Sequence, residues 1–155
     1  MKLLQNLHHL TFVTADMDRL ISFYERIFDA RVTLDMEEDG LRHTFIELGP
    51  HTVLHPFQIP GVEPPPARPM FDRGRLDHFA LNAASEEAFR ELHRRAVAEN
   101  ISNGIVTDMG SLLLFTFTDP DGAEHEVVWR KPGVPDSATL RRSDWTEVDL
   151  IASGQ

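Results

Sequence analysis

The sequence of 155 residues contains no cysteine. This absence excludes disulfide bonds, thiolate zinc sites and cysteine nucleophiles. Long apolar runs are also missing: no stretch approaches the roughly 18 residues of a membrane span, and no basic-then-apolar leader is present. We therefore expect no membrane association and a cytoplasmic location.

Positive charge is scarce. The chain has 15 Lys and Arg against 25 Asp and Glu, which gives a formal net charge of −10. A chain this acidic has few cationic side chains to replace the counterions of nucleic-acid phosphates, and we expect no nucleic-acid partner. Histidine is well represented, with eight residues, so imidazole and carboxylate are the metal ligands available to this protein.

The pattern of apolar residues predicts the order β, α, β, β, β twice along the chain. In the first copy we expect strands at 7–13, 31–36, 43–48 and 52–57, with a helix from the N-cap Asp16 to near Asp29. In the second we expect strands at 76–82, 105–108, 112–118 and 124–130, with a helix that begins after the N-cap Ser85 and ends at 100–103.

These elements divide the chain into four parts: modules at 1–58 and 75–131, a connector at 59–74 and a tail at 132–155. The connector is rich in proline, which favours extended chain, and we interpret it as a linker, with a lid as the alternative. The tail carries apolar residues that either pack on its own domain or form a subunit contact: Leu140, Trp145, Val148, Leu150 and Ile151.

The two copies agree in their spacing. His9 precedes the N-cap Asp16 by seven residues, and His78 precedes the N-cap Ser85 by the same seven. Each module alone leaves an apolar face to cover. The pattern therefore predicts an α+β fold in which two paired βαβββ modules form a concave mixed sheet with helices on the outside.

Alternation along the strands predicts which polar side chains face away from the helices. Leu10 and Phe12 should face the first helix, which leaves His9 on the other side. By the same rule His78 and Glu126 face away from the second helix. Taken singly, each would be an ordinary hydrogen-bonded histidine or a solvated acid. Together, two imidazoles and one carboxylate make the 2-His-1-carboxylate facial set, which leaves coordination positions open for substrate.

These motifs resemble those of the vicinal oxygen chelate superfamily, which includes glyoxalase I, extradiol dioxygenases, fosfomycin-modifying thiol transferases and bleomycin-binding proteins. The resemblance covers residues 5–131. It rests on His9 to Asp16 followed by Ser22-Phe23-Tyr24, on Leu76 to Leu81, and on the turn Asp119-Pro120-Asp121-Gly122 with Glu126 four residues after it. It implies a divalent Fe, Mn, Ni or Zn ion held by His9, His78 and Glu126, a small-molecule substrate and a homodimer.

Three departures separate the chain from particular members of the superfamily. Glyoxalase I has a second Glu on the fourth strand of a module, where this chain has His55. Glu47, one strand earlier, also faces away from the helix, so His55 and Glu47 are both candidates for a fourth ligand or general base. The strand at 112–118 lacks the His and Tyr of the dioxygenases. The fosfomycin enzymes use a cationic pocket for a phosphonate; basic residues including Arg42, Arg73 and Arg75 are available for one, but the acidic balance of the chain disfavours it.

The resemblance and the residues together favour a metal-dependent enzyme. It would act on a small oxygen-rich molecule by bidentate chelation and stabilisation of an enolate or oxyanion, as a glyoxalase-type lyase, an isomerase or an extradiol-type dioxygenase. The alternative is a non-catalytic protein of the bleomycin-resistance type that sequesters an aromatic or antibiotic ligand, and a structural or regulatory module is the third. A sequestering protein has no need for His9, His78 and Glu126 together, and their joint presence favours the enzyme.

Overall fold

The computed structural model describes residues 3, 7–74, 76–135, 138 and 141–150. The chain forms two compact units, Met1–Ala67 and Arg68–Gln155. Neither α-helix of the described residues has the length and apolar character that crossing a membrane requires.

The first unit contains one helix and a four-stranded mixed sheet. Its elements are β1 (Leu10–Val13), α1 (Met17–Phe28), β2 (Arg31–Glu38), β3 (Leu41–Gly49) and β4 (Thr52–Gln58). The strand order is β1-β4-β3-β2, with β1 parallel to β4 and the other pairs antiparallel. Apolar side chains at helical spacing on α1 pack against one face of the sheet and form the core with it: Met17, Leu20, Phe23, Tyr24, Ile27, Ile46 and Leu54.

Local sequence accounts for the ends of α1 and for the turn after β2. The carboxylate of Asp16 accepts a hydrogen bond from the Arg19 amide at 3.0 Å, and Asp29 ends the helix with φ of 52°. Asp39 and Gly40 both have positive φ, 52° and 79°, as a two-residue type I′ hairpin requires. The turn is thus shorter than the sequence predicted, because residues 37 and 38 still pair with β3.

The second unit repeats this order and adds a strand. Its elements are β5 (Ala80–Asn82), α2 (Glu86–Ala98), β6 (Val106–Asp108), β7 (Leu112–Thr118), β8 (Glu124–Arg130), a 3-10 turn (Arg142–Asp144) and β9 (Thr146–Val148). The strand order is β5-β8-β7-β6-β9, with β5 parallel to β8. The core lies between α2 and one sheet face: Phe89, Ala96, Val106, Leu113, Phe115, Phe117 and Val127.

The predicted α+β fold of two βαβββ modules is confirmed. Asp16 and Ser85 both cap their helices, so the seven-residue spacing relates equivalent positions. Both first strands are shorter than predicted, and His9 and His78 lie just before them rather than within them. The division into 1–58, 59–74, 75–131 and 132–155 stays a prediction.

The C-terminal tail extends the sheet of its own unit. β9 pairs antiparallel with β6, with Thr107 opposite Glu147. The order β, α, β, β, β did not predict this strand, because its three residues are too few for an alternation pattern. Leu140 and Ile151 lie outside the described residues.

Candidate metal and substrate site

The second unit brings His78 and Glu126 together. Ala80 on β5 is the register partner of Glu126 on β8, and the Glu126 amide donates to the Phe79 carbonyl at 3.0 Å. Nε2 of His78 lies 3.7 Å from Oε2 of Glu126. Two ligands at about 2.1 Å from one ion are separated by roughly 3.0–3.4 Å, so a small movement allows both to bind the same metal.

Asp77 fixes the orientation of the His78 ring. Oδ1 of Asp77 lies 2.8 Å from Nδ1 of His78. An ionised carboxylate only accepts hydrogen bonds, so Nδ1 is the protonated nitrogen and Nε2 keeps its lone pair on the side of Glu126. The hydrogen bond from His78, followed by one from the Phe71 amide, holds the pKa of Asp77 below its usual range. Most metal-binding histidines have such a carboxylate or carbonyl partner.

Glu126 is largely withdrawn from solvent. Its side chain is 17% exposed, and burial raises the pKa of its carboxyl while the facing His78 opposes that rise. Its neighbour Val127 is fully buried on the α2 side of the sheet, which places Glu126 on the opposite face. A partly buried carboxylate with a raised pKa beside an imidazole is an environment that is common at functional sites.

The first unit places three histidines on the sheet face opposite α1. His55 on β4 is central: its Nε2 lies 3.0 Å from Nδ1 of His43, and its ring centroid lies 5.2 Å from that of His9. Phe45 and Phe57 flank His55, each with a centroid distance of 4.5 Å. We call these five residues the imidazole cluster.

The imidazole cluster favours the neutral form of His55. Burial lowers the pKa of His55, and positive charge on His43 or His9 lowers it further. A neutral imidazole accepts a proton at neutral pH, which is the property that a general base needs.

Glu47 lies on the same face as the cluster but makes a different contact. Its register partners on the neighbouring strands are Arg31 and Val53, and its carboxylate accepts a hydrogen bond from Arg31 at 2.8 Å. Arg31 is 75% exposed, so this ion pair is a weak surface interaction. Among the described residues, the structure joins His55 to His9 and His43, and Glu47 to Arg31.

Neither unit by itself contains, among its described residues, three or more His, Asp or Glu side chains arranged to hold a metal. In the imidazole cluster, the facing nitrogens of His43 and His55 contact each other. The second unit supplies the pair His78 and Glu126, whose donor types and Asp77 support fit a divalent ion. The participation of His9 stays a prediction from the sequence.

Two of the arginines considered for a phosphonate pocket form ion pairs. Arg42 binds Asp35 through two nitrogens, at 2.9 and 2.8 Å, and Asp18 at 2.7 Å, and these carboxylates raise its pKa. Arg73 binds the Glu124 carboxylate at 3.0 Å. Arg75 lies outside the described residues.

Sequence reasoning gave no role to His43, Phe45, Phe57 and Asp77. The first two stand at alternate positions of β3, on the same side as Glu47, so alternation was a usable signal. The sequence also contained a signal for Asp77, because an acid next to a candidate ligand histidine frequently accepts a hydrogen bond from the ring nitrogen that does not bind the metal.

The match to a family model identifies the superfamily. Residues 6–127 match the model of the Glyoxalase/Bleomycin resistance protein/Dioxygenase superfamily. The chain belongs to this superfamily, in agreement with the resemblance found in the sequence.

Individual relatives are more distant. The chain is 28% identical over 132 residues to a lactoylglutathione lyase of Arabidopsis thaliana; the match covers 80% of this chain and 44% of that protein. The chain thus spans less than half the length of this relative.

Solved structures share the fold. A glyoxylase/bleomycin resistance protein/dioxygenase domain from Frankia sp. EAN1pec has a TM-score of 0.68 and 18% identity, covering 84% of this chain and 96% of that one. The fosfomycin resistance protein FosX of Listeria monocytogenes, with Mn(II) and 1S,2S-dihydroxypropylphosphonic acid bound, has a TM-score of 0.60 and 15% identity, covering 84% and 96%. A trypanothione-dependent glyoxalase I of Leishmania major has a TM-score of 0.56 and 22% identity, covering 80% and 86%.

Proposed function

We propose that the protein is a metal-dependent enzyme that acts on a small oxygen-rich substrate by lyase, isomerase or dioxygenase chemistry. The observation that carries this proposal is the series Asp77–His78–Glu126. A carboxylate holds one nitrogen of the imidazole, and a second, partly buried carboxylate lies 3.7 Å from the other nitrogen. This series has the composition of a metal ligand pair with its supporting residue.

His78 and Glu126 would hold the ion, with His9 as the third protein ligand. A divalent ion bound by three protein ligands offers open positions for two neighbouring substrate oxygens and stabilises negative charge on them. Fe, Mn, Ni and Zn are all compatible with imidazole and carboxylate ligands. The Mn(II) in the FosX structure supports the choice of manganese for a first test.

The residues of the chain supply the proton chemistry. His55, neutral and next to His9, would accept a proton from the substrate, and His43 would share the resulting charge through their 3.0 Å contact. Glu47 is the second candidate base, although it would have to leave Arg31 first. Asp77 would keep Nδ1 of His78 protonated and so keep Nε2 available.

The relatives support lyase chemistry first. The Arabidopsis relative is a lactoylglutathione lyase, and the Leishmania neighbour is a glyoxalase I. We also propose a homodimer in the cytoplasm, without nucleic-acid or membrane partners.

Metal binding tests the proposal directly. We expect the purified protein to bind Mn²⁺ in calorimetry, and His9→Ala to bind it at least tenfold more weakly. His51→Ala is the matched control, because it removes a histidine from the β3–β4 turn. Iron in the purified protein would favour the dioxygenase, and nickel or zinc the lyase. The proposal fails if the wild type binds Mn²⁺ no better than His9→Ala does.

A ligand-sequestering protein is the second candidate. The observation in its favour is the aromatic part of the imidazole cluster, Phe45 and Phe57, which offers a stacking surface without any metal. Such a protein would bind an aromatic ligand such as bleomycin equally well with and without Mn²⁺. The enzyme would need the metal.

A further inference from the structure

Phe71 has an unusual backbone and an unusual environment. It lies in the segment 68–77, where its φ of 71° places a bulky residue in the left-handed region that favours glycine. Its side chain nevertheless faces solvent, and the residue is 78% exposed. Strain of this kind persists only where surrounding contacts impose it, and it concentrates at functional sites.

Several hydrogen bonds impose this conformation. The Phe71 amide donates to Oδ2 of Asp77 at 2.7 Å, and the Met70 amide donates to Oε2 of Glu124 at 2.8 Å. The largely buried guanidinium of Arg73 donates to the Arg68 carbonyl at 2.6 Å, and also to the Glu124 carbonyl at 2.6 Å. The segment is therefore clamped to β8 two residues before Glu126.

This clamp holds the Phe71 ring against His78. The ring centroids are 5.7 Å apart and the planes meet at 87°, an edge-to-face contact. Asp77 connects the two residues, because one of its oxygens accepts from the His78 ring and the other from the Phe71 amide. The carboxylate that orients the candidate metal ligand therefore also positions the exposed ring.

We propose that Phe71 is a specificity-determining residue whose ring packs on the unsaturated or aromatic part of a substrate bound beside His78. This inference rests on the proposed function, since it needs a metal at His78 to bind the oxygens of the substrate. A planar group next to two chelating oxygens gains contact with the ring, whereas a small non-aromatic chelator does not reach it. The substrate class is thus a chelating molecule that carries an unsaturated or aromatic group.

Two chelating probes of different shape test this inference on the Mn²⁺-loaded protein. The aromatic probe is 4-nitrocatechol, whose absorbance reports binding, and the small probe is acetohydroxamate, measured by calorimetry. We expect Phe71→Ala to weaken 4-nitrocatechol binding by about 3- to 10-fold, the range for one aromatic contact, and to change acetohydroxamate binding less than twofold. Leu76→Ala is the matched control, because Leu76 is an exposed apolar side chain, at 60%, in the same segment.

Each outcome has one meaning. The inference is wrong if Phe71→Ala loses affinity for the two probes equally. It is also wrong if Phe71→Ala and Leu76→Ala lose 4-nitrocatechol affinity equally. Both results would leave the proposed function intact. A matching loss of Mn²⁺ affinity in Phe71→Ala would mean that Phe71 only supports His78, and would also overturn it. Failure of the wild type to bind Mn²⁺ would refute both this inference and the proposed function. Phe71→Leu, which keeps an apolar side chain, should recover less than half of the lost 4-nitrocatechol affinity.

Discussion

Asp77→Asn is the substitution that probes the candidate site most sharply. Asp77 accepts two hydrogen bonds through different oxygens, one from Nδ1 of His78 and one from the Phe71 amide. An asparagine side chain has a single acceptor oxygen, and its NH₂ group faces any second donor. The variant must therefore lose the hydrogen bond from the Phe71 amide, or turn its NH₂ group towards Nδ1 of His78 and so lose the tautomer that leaves Nε2 unprotonated.

The expected effect on metal binding follows from this loss. Removing the hydrogen-bond partner of a ligand histidine weakens metal binding by about 10- to 100-fold. We expect that range for Mn²⁺ in Asp77→Asn, measured by calorimetry and by the electron paramagnetic resonance signal of free Mn²⁺. Asp72→Asn removes the same charge from the same segment, and we expect it to change the affinity less than threefold.

Acid unfolding gives an independent readout of the same contact. His78 lowers the pKa of Asp77, so this carboxylate contributes stability above its usual pKa of 3.8 and loses that contribution as the pH falls below it. Asp77→Asn should therefore show a weaker loss of stability below that pH than the wild type. Equal Mn²⁺ affinities of Asp77→Asn and Asp72→Asn would refute the assignment of Asp77 as the support of a metal ligand.

Four further predictions concern affinity and stability. Glu126→Gln should weaken Mn²⁺ binding by at least about 100-fold, because it removes a ligand and not only a supporting group. Burial raises the pKa of Glu126, so the free energy of unfolding of the metal-free wild type falls as the pH rises above 4.5. Glutamine does not titrate, so the free energy of unfolding of Glu126→Gln, measured with urea from pH 4 to 7, should lack this part of the decrease. Phe71→Gly should be more stable to urea than Phe71→Ala by about 1 kcal/mol, since both lack the ring and only alanine keeps a Cβ in the left-handed region. Phe115→Ala, in the core of the second unit, should lower the free energy of unfolding by about 3–5 kcal/mol without altering the Mn²⁺ affinity per folded molecule. Equal stability of Phe115→Ala and the wild type would contradict the packing of Phe115 in this core.

The sequence by itself determined the elements of the two βαβββ modules and the equivalence of these modules, but not β9. Apolar periodicity and the caps Asp16 and Ser85 act within a few residues, so they can be read without tertiary information. Alternation also placed Glu126 on the face away from α2, because the period of a strand is two residues wherever it lies in a sheet.

Tertiary structure decided which of these groups touch. Both His55 and, as the second choice, Glu47 were candidate bases from the alternation of their strands. In the structure Glu47 pairs with Arg31, while His55 contacts His43 and His9. The clamp of Arg73 onto Glu124 joins groups 51 residues apart, through a segment with no periodic pattern. The strained φ of Phe71 likewise has no local signature in the sequence, because the hydrogen bond to Asp77 and the fixed path of the chain impose it.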